Sequence, residues 1–137
     1  MSESIEHITL VKCMEQYVQS SIPSELYDFI EIDNGGCKPT RVCNYIPDLY
    51  FRWGDSLIVG EAKTINDFDR KHSKAQFEAY IDECRWFNGT STIIIAVPWM
   101  LVITAKNYFK SEKERMNFGG KIIILTELEE GIKTWEI

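Results

Sequence analysis

Residues 92–98 read TIIIAVP, β-branched and apolar at consecutive positions. A strand with one wet face alternates apolar and polar residues, whereas one that is apolar on both faces is a central strand covered on both sides. Such a strand demands helices packed on a sheet, which constrains the chain to an α/β layered fold. At 137 residues, with 45% hydrophobic and 26% charged residues, the chain suits one domain over 1–137 with a sizeable core. The longest apolar stretch is this strand-sized one, far short of the ~20 residues that cross a bilayer. The first ten residues, MSESIEHITL, carry acids rather than a basic leader, so no signal peptide is read and a cytoplasmic protein with no membrane partner is expected.

Around that strand the remaining elements fall into order. Residues 4–19 have helical periodicity, with Ile8, Val11, Met14 and Val18 along one face. LYDFIEI at 26–32 has strand composition and ends at the turn signal DNGG; residues 33–44 read as a loop that opens onto a hairpin at 46–64. A second helix spans about 73–87, with Phe77, Tyr80, Ile81, Cys84 and Phe87 at core spacing. A third follows at 101–117, then a strand at 121–128 and a short one at 132–137. The expected order is α-β-β-β-α-β-α-β, a mixed sheet of four to five strands flanked by helices. The strand–helix–strand from 56 to 97 is expected to make a parallel crossover.

The hairpin PDLYFRWGDSLIVGEAKT carries the chemistry. Gly54-Asp55 suits a two-residue loop of type II′, in which glycine supplies the positive φ. Trp53 then faces Ser56, every cross-strand pair sums to 109, and Asp48 falls opposite Glu61 with Cβ atoms ~5 Å apart. Lys63 shares their face, while Leu49, Phe51 and Trp53 with Ile58, Gly60 and Ala62 form the opposite, core face. Two like charges placed opposite each other destabilise a hairpin unless something compensates. A divalent cation is the natural compensation, and Mg²⁺ suits a few carboxylates, a carbonyl and waters. Lys63 then stands beside it, able to hold a water or stabilise negative charge.

Other features set bounds. A formal charge of −6 argues against coating nucleic acid by bulk electrostatics. Cys13, Cys37, Cys43 and Cys84 form no CxxC pair and read as free thiols. Arg70, Lys71, His72 and Lys74 cluster before the second helix, where phosphate contacts would position a nucleic acid without reading its bases. Lys106, Lys110, Lys113 and Arg115 recur along the third helix as a solvated face or a second phosphate-contacting set.

Pro47-Asp48 with Glu61-Ala62-Lys63, on this element order, resembles the PD-(D/E)xK nuclease superfamily, the restriction-endonuclease-like fold. QFEAY at 76–80 resembles the QxxxY element of its RecB-type and lambda-exonuclease-like branch. The resemblance implies metal-dependent phosphodiester hydrolysis. Asp48, Glu61 and the backbone carbonyl of Ala62 would hold Mg²⁺, with Mn²⁺ as a substitute; Lys63 would be the catalytic lysine, and Gln76 would be catalytic with Asp48, Glu61 and Lys63. The first helix would contribute Glu6, with His7 as the alternative and Glu15 a further candidate. Tyr80 would join the 70–74 cluster in contacting nucleic acid. No iron–sulfur cluster is implied, since no cysteine follows Cys84.

The expectation is therefore a Mg²⁺-dependent DNA nuclease, endo or exo, acting in repair, defence or mobile-element biology. With no added recognition domain, it would select structure or ends rather than a base sequence, as a homodimer or with a partner subunit. Two other classes stay open: a nucleic-acid- or partner-binding subunit that keeps the fold with little activity, and an acidic inhibitor or immunity-type protein.

Overall fold

In the computed structural model, residues 4–34 and 36–137 are described. Met1, Ser2 and Glu3 of the N-terminal stretch, and Gly35 of the expected DNGG turn, lie outside the described residues. The chain opens with α1 (Ile5–Ser21), whose first turn is capped by the Ser4 hydroxyl accepting from the His7 N–H. Six strands follow: β1 (Glu31–Ile32), β2 (Leu49–Trp53), β3 (Ser56–Ala62), β4 (Thr90–Ala96), β5 (Lys121–Leu128) and β6 (Gly131–Glu136). Helix α2 (Lys71–Arg85) joins β3 to β4, and α3 (Val102–Arg115) joins β4 to β5.

The strands lie side by side in chain order as one six-stranded mixed sheet. β1, β2 and β3 form an antiparallel meander, β3, β4 and β5 run parallel, and β6 returns antiparallel. Six strands exceed the four to five expected, because the two-residue β1 and the edge strand β6 both pair. The stretch 26–32, read as a strand, is mostly a 3₁₀ turn at Ser24–Phe29, and only Glu31–Ile32 reaches the sheet. Pro23 starts that turn, and the Tyr27 hydroxyl ties it to the Gln19 carbonyl at the end of α1. Its strand-like composition finds no ladder.

Both faces of the sheet are covered. α1 packs Leu10, Val11, Met14 and Val18 against Leu49, Ala62, Ile94 and Leu125. Ile8, expected on that buried face, is largely exposed, while Cys13 is buried in its place. α2 and α3 pack Phe77, Ile81, Ala105 and Phe109 on the other face against Leu57, Val59, Ile93 and Ile95. Each of these isoleucines contributes about 1.5–3 kcal/mol by leaving water, which is why β4 is apolar on both faces. α1 lies so close to β3 that a Cβ on Gly60 would sit 3.0 Å from the Met14 sulfur.

Candidate active site

The hairpin forms in the expected register: Trp53 faces Ser56, Phe51 faces Ile58 and Leu49 faces Gly60. Gly54 has φ +57° and Asp55 keeps a negative φ, which is the type II′ pattern. One expectation fails here: Trp53 is 48% exposed, tilted against Phe29 at the hairpin tip instead of entering the core. The face opposite it, with Glu61 and Lys63, is buried beneath α2.

The ladder stops at Leu49, so Asp48 is not a strict cross-strand partner of Glu61. The reason is Pro47. The next bonded pair would be Pro47 with Ala62, and proline has no N–H to give. The chain bends there, and the Asp48 N–H donates to the Gly60 carbonyl at 3.0 Å. The Asp48 side chain turns instead to accept from the Ala62 N–H at 2.8 Å. On the other edge of β3, the Lys63 N–H donates to the Ala96 carbonyl at 2.9 Å. In a strand the backbone groups alternate sides, so Ala62 directs its carbonyl toward β2, where Pro47 leaves no ladder donor for it.

Helix α2 supplies the lid. Gln76 and Tyr80 are one turn apart on its buried face, a rise of about 6 Å. Glu61 and Lys63 are two residues apart on one face of β3, also about 6.6 Å. The two spacings match, with the helix running opposite to the strand: Lys63 Nζ donates to Gln76 Oε1, and the Tyr80 hydroxyl donates to Glu61 Oε1 at 2.7 Å. Lys63 Nζ also lies 3.8 Å from Glu61 Oε2. All five side chains of this group, Asp48, Glu61, Lys63, Gln76 and Tyr80, are buried.

The first helix meets the group through His7, whose Nε2 lies 3.2 Å from Asp48 Oδ2. Glu6 is solvent-exposed on α1, and Glu15 stands two turns further along, beside Ile32 and Asp33. His7, the alternative, thus takes the place expected of Glu6.

Electrostatics separate the two acids. Burial pushes Asp48 up, but hydrogen bonds from His7 and Glu61, the charge of His7 and the Ala62 N–H outweigh it and hold the carboxyl below its usual range. Burial and then the charge on Asp48 drive Glu61 well above the carboxylate range, against the opposing pull of Lys63 and Tyr80. Of the two carboxyls Asp48 is thereby the stronger acid, with Lys63 and His7 as the cations beside the pair.

Among the described residues, no group of three or more His, Cys, Asp and Glu side chains is placed to hold a metal ion. The oxygen donors at the end of β3 are the Asp48 and Glu61 carboxyls, with the Ala62 carbonyl next to Glu61 in the chain. Those are hard oxygen donors, few in number, as Mg²⁺ sites use when waters complete the shell.

The expected nucleic-acid contacts divide. Arg70, Lys71 and His72 are exposed at the start of α2. Arg70 lies 3.7 Å from Asp67, His72 meets the edge of the Tyr45 ring, and Lys71 makes no ion pair among the described residues. Lys74 is turned inward, 3.6 Å from Asp69 and 3.8 Å over the Tyr108 ring. Tyr80 is fully buried and cannot touch a nucleic acid; it positions Glu61 instead. On α3, Lys113 binds the Ile137 carbonyl and Arg115 pairs with Glu112 and Glu78.

Pro47 is the functional residue whose role sequence reasoning missed, although its lack of an N–H was legible. Among the described residues no helix is long and apolar enough to cross a membrane. Comparison with family models, with curated proteins and with solved structures finds no match to the chain.

Proposed function

We propose that this chain is a metal-dependent nuclease of the restriction-endonuclease-like fold that hydrolyses phosphodiester bonds in DNA. One observation carries the reading: Asp48, Glu61 and Lys63 are gathered, buried, at the carboxyl end of β3, with Asp48 bonded to the Ala62 N–H and Lys63 beside Glu61. The element order supports it, one helix, a three-stranded meander, a helix and a parallel strand.

Each residue has a distinct task. Asp48, kept ionised by His7 and the Ala62 N–H, offers a carboxylate of fixed orientation. Glu61 is aimed by Tyr80 and would offer the second carboxylate to a cation. Asp48 and Glu61 would hold Mg²⁺ or Mn²⁺, which would supply Lewis-acid charge for a phosphate oxygen and a more acidic bound water. Lys63 spends one of its three protons on Gln76 and keeps the others to hold the attacking water or the developing negative charge. Its burial fixes the ammonium before substrate arrives.

The test is cleavage of a labelled panel of linear, circular, single-stranded and branched DNAs with Mg²⁺ or Mn²⁺, beside Lys63→Ala prepared identically. Cutting that needs metal and falls by at least about 10²-fold in Lys63→Ala is the expected result. Equal cutting by both would mark a contaminant, and no cutting of any substrate would overturn the reading.

A further inference from the structure

Outside the carboxyl ends of β3 and β4 the chain exposes large apolar side chains that, among the described residues, no element covers. Beyond β4 the backbone passes Pro98 and turns at once into a helical turn, Trp99–Leu101, that continues into α3. Trp99 is 66% exposed and Ile103 74% exposed, with Met100 between them also in solvent. Trp99 and Met100 in the 3₁₀ turn and Ile103 in the first turn of α3 face solvent, while Leu101, Val102 and Ala105 enter the core. In the turn that follows β3, Ile65, two residues past Lys63, is exposed as well.

This patch begins at the same end of the sheet as Lys63. The Lys63 N–H is bonded to the Ala96 carbonyl, and Trp99 is three residues beyond Ala96, within roughly 11 Å of chain. The carboxyl ends of parallel strands are also where ligands of open α/β sheets bind.

Charge narrows what could lie there. Duplex DNA carries one negative charge per ~1.7 Å of its axis and is held mainly by neutralising cations. This chain has net charge −6, and near the site Lys74 and Arg70 already face Asp69 and Asp67. An unpaired strand offers a different handle, since every base has an apolar face that stacks on an aromatic ring whatever the sequence.

We infer that Trp99, flanked by Met100 and Ile103, is a stacking platform for an unpaired base, so that the phosphodiester presented to Asp48, Glu61 and Lys63 belongs to a single-stranded segment or a frayed end. The inference rests on the nuclease reading for its choice of ligand and names the substrate class of that site. Exposed Lys71, at the start of α2, would meet the adjoining phosphate.

The test is binding, separated from cutting. Fluorescence anisotropy is measured in EDTA with a short labelled oligothymidylate and with a blunt duplex of the same length. Wild type is compared with Trp99→Ala, Trp99→Phe and Trp86→Ala; Trp86 is equally exposed but follows α2 at the opposite end of the sheet. Wild type should bind the single strand more tightly than the duplex. Trp99→Ala should weaken single-strand binding roughly five- to 150-fold. Trp99→Phe should recover most of that loss, and Trp86→Ala should match wild type. Equal loss on the duplex, equal loss in Trp86→Ala, no loss in Trp99→Ala, or no binding by wild type would each overturn the inference. So would a change of oligomeric state in Trp99→Ala on light scattering, which would make the patch a self-association surface. A parallel arm with Mn²⁺ keeps the two readings apart. Cutting with Trp99-independent binding sinks the platform alone; Trp99-dependent binding with no cutting sinks the nuclease alone.

Discussion

Glu61→Gln should make the metal-free protein more stable, and increasingly so as pH rises. Glu61 is buried against Asp48, and its carboxyl holds its proton far above the ordinary value of 4.5. Above pH 4.5 the unfolded chain releases that proton while the native state keeps it. Native stability then falls with pH by about 1.4 kcal/mol per unit, until the native carboxyl itself ionises. Below the unfolded pKa both states carry the proton and nothing is lost. Glutamine keeps the shape, accepts the Tyr80 hydroxyl through Oε1 and can donate an amide N–H to Asp48, but does not titrate. Asp48, whose native pKa is lowered, contributes stability above 3.8 that is lost as pH falls, and to first order it does so equally in both proteins. A chain of this length shifts its melting temperature by about 3–5 °C per kcal/mol, so the gap should widen by roughly 4–7 °C per pH unit above the glutamate range. Thermal melts followed by circular dichroism in EDTA, from about pH 4 to about pH 8, measure it. Adding Mn²⁺ should raise the melting point of wild type and leave Glu61→Gln where it was. Parallel melting curves for the two proteins, or a wild type that is the more stable near neutral pH, would refute the acid-pair reasoning.

Tyr80→Phe removes the hydroxyl that supports ionised Glu61 while keeping the ring in its core slot. A hydrogen bond to a charged group is worth about 1.5–3 kcal/mol, so Mn²⁺ affinity by calorimetry should weaken roughly ten- to hundred-fold at neutral pH, and less at higher pH, where Glu61 is already ionised; an unchanged affinity would mean that Tyr80 serves packing alone. Burial holds the Cys13 and Cys84 thiols up at about 12, whereas Cys37 is exposed. Iodoacetamide at mildly alkaline pH should therefore label Cys37 first and spare Cys13 and Cys84 in the folded chain, as peptide mass spectrometry would read.

The layered α/β class, the hairpin turn and its register were legible in the residues because they are local. A two-residue loop with glycine first fixes which strand residues face each other, and alternation then decides which share a face. The match between one helical turn and two strand residues likewise follows from the QFEAY and EAK spacings once a helix is assumed to lie over the strand. Strand-like composition at 26–32 misled because Pro23 and the Tyr27–Gln19 bond settle that segment as a 3₁₀ turn, and ladder partners decide strands where composition only permits them.

What the sequence by itself determined was thus the set of chemical groups and their order along β3. The tertiary structure alone decided which side chain of α1 meets Asp48, that Tyr80 is a buried support and not a surface contact, and that Lys74 and Arg115 are held by neighbouring acids. His7 and Glu6 are adjacent in sequence and separated by 100° of helix, so the rotation at which α1 docks chooses between them. That rotation is set by Val11, Met14 and Val18 seating on the sheet around Gly60, far along the chain from Asp48. Long-range packing fixes such angles, and no local spacing encodes them.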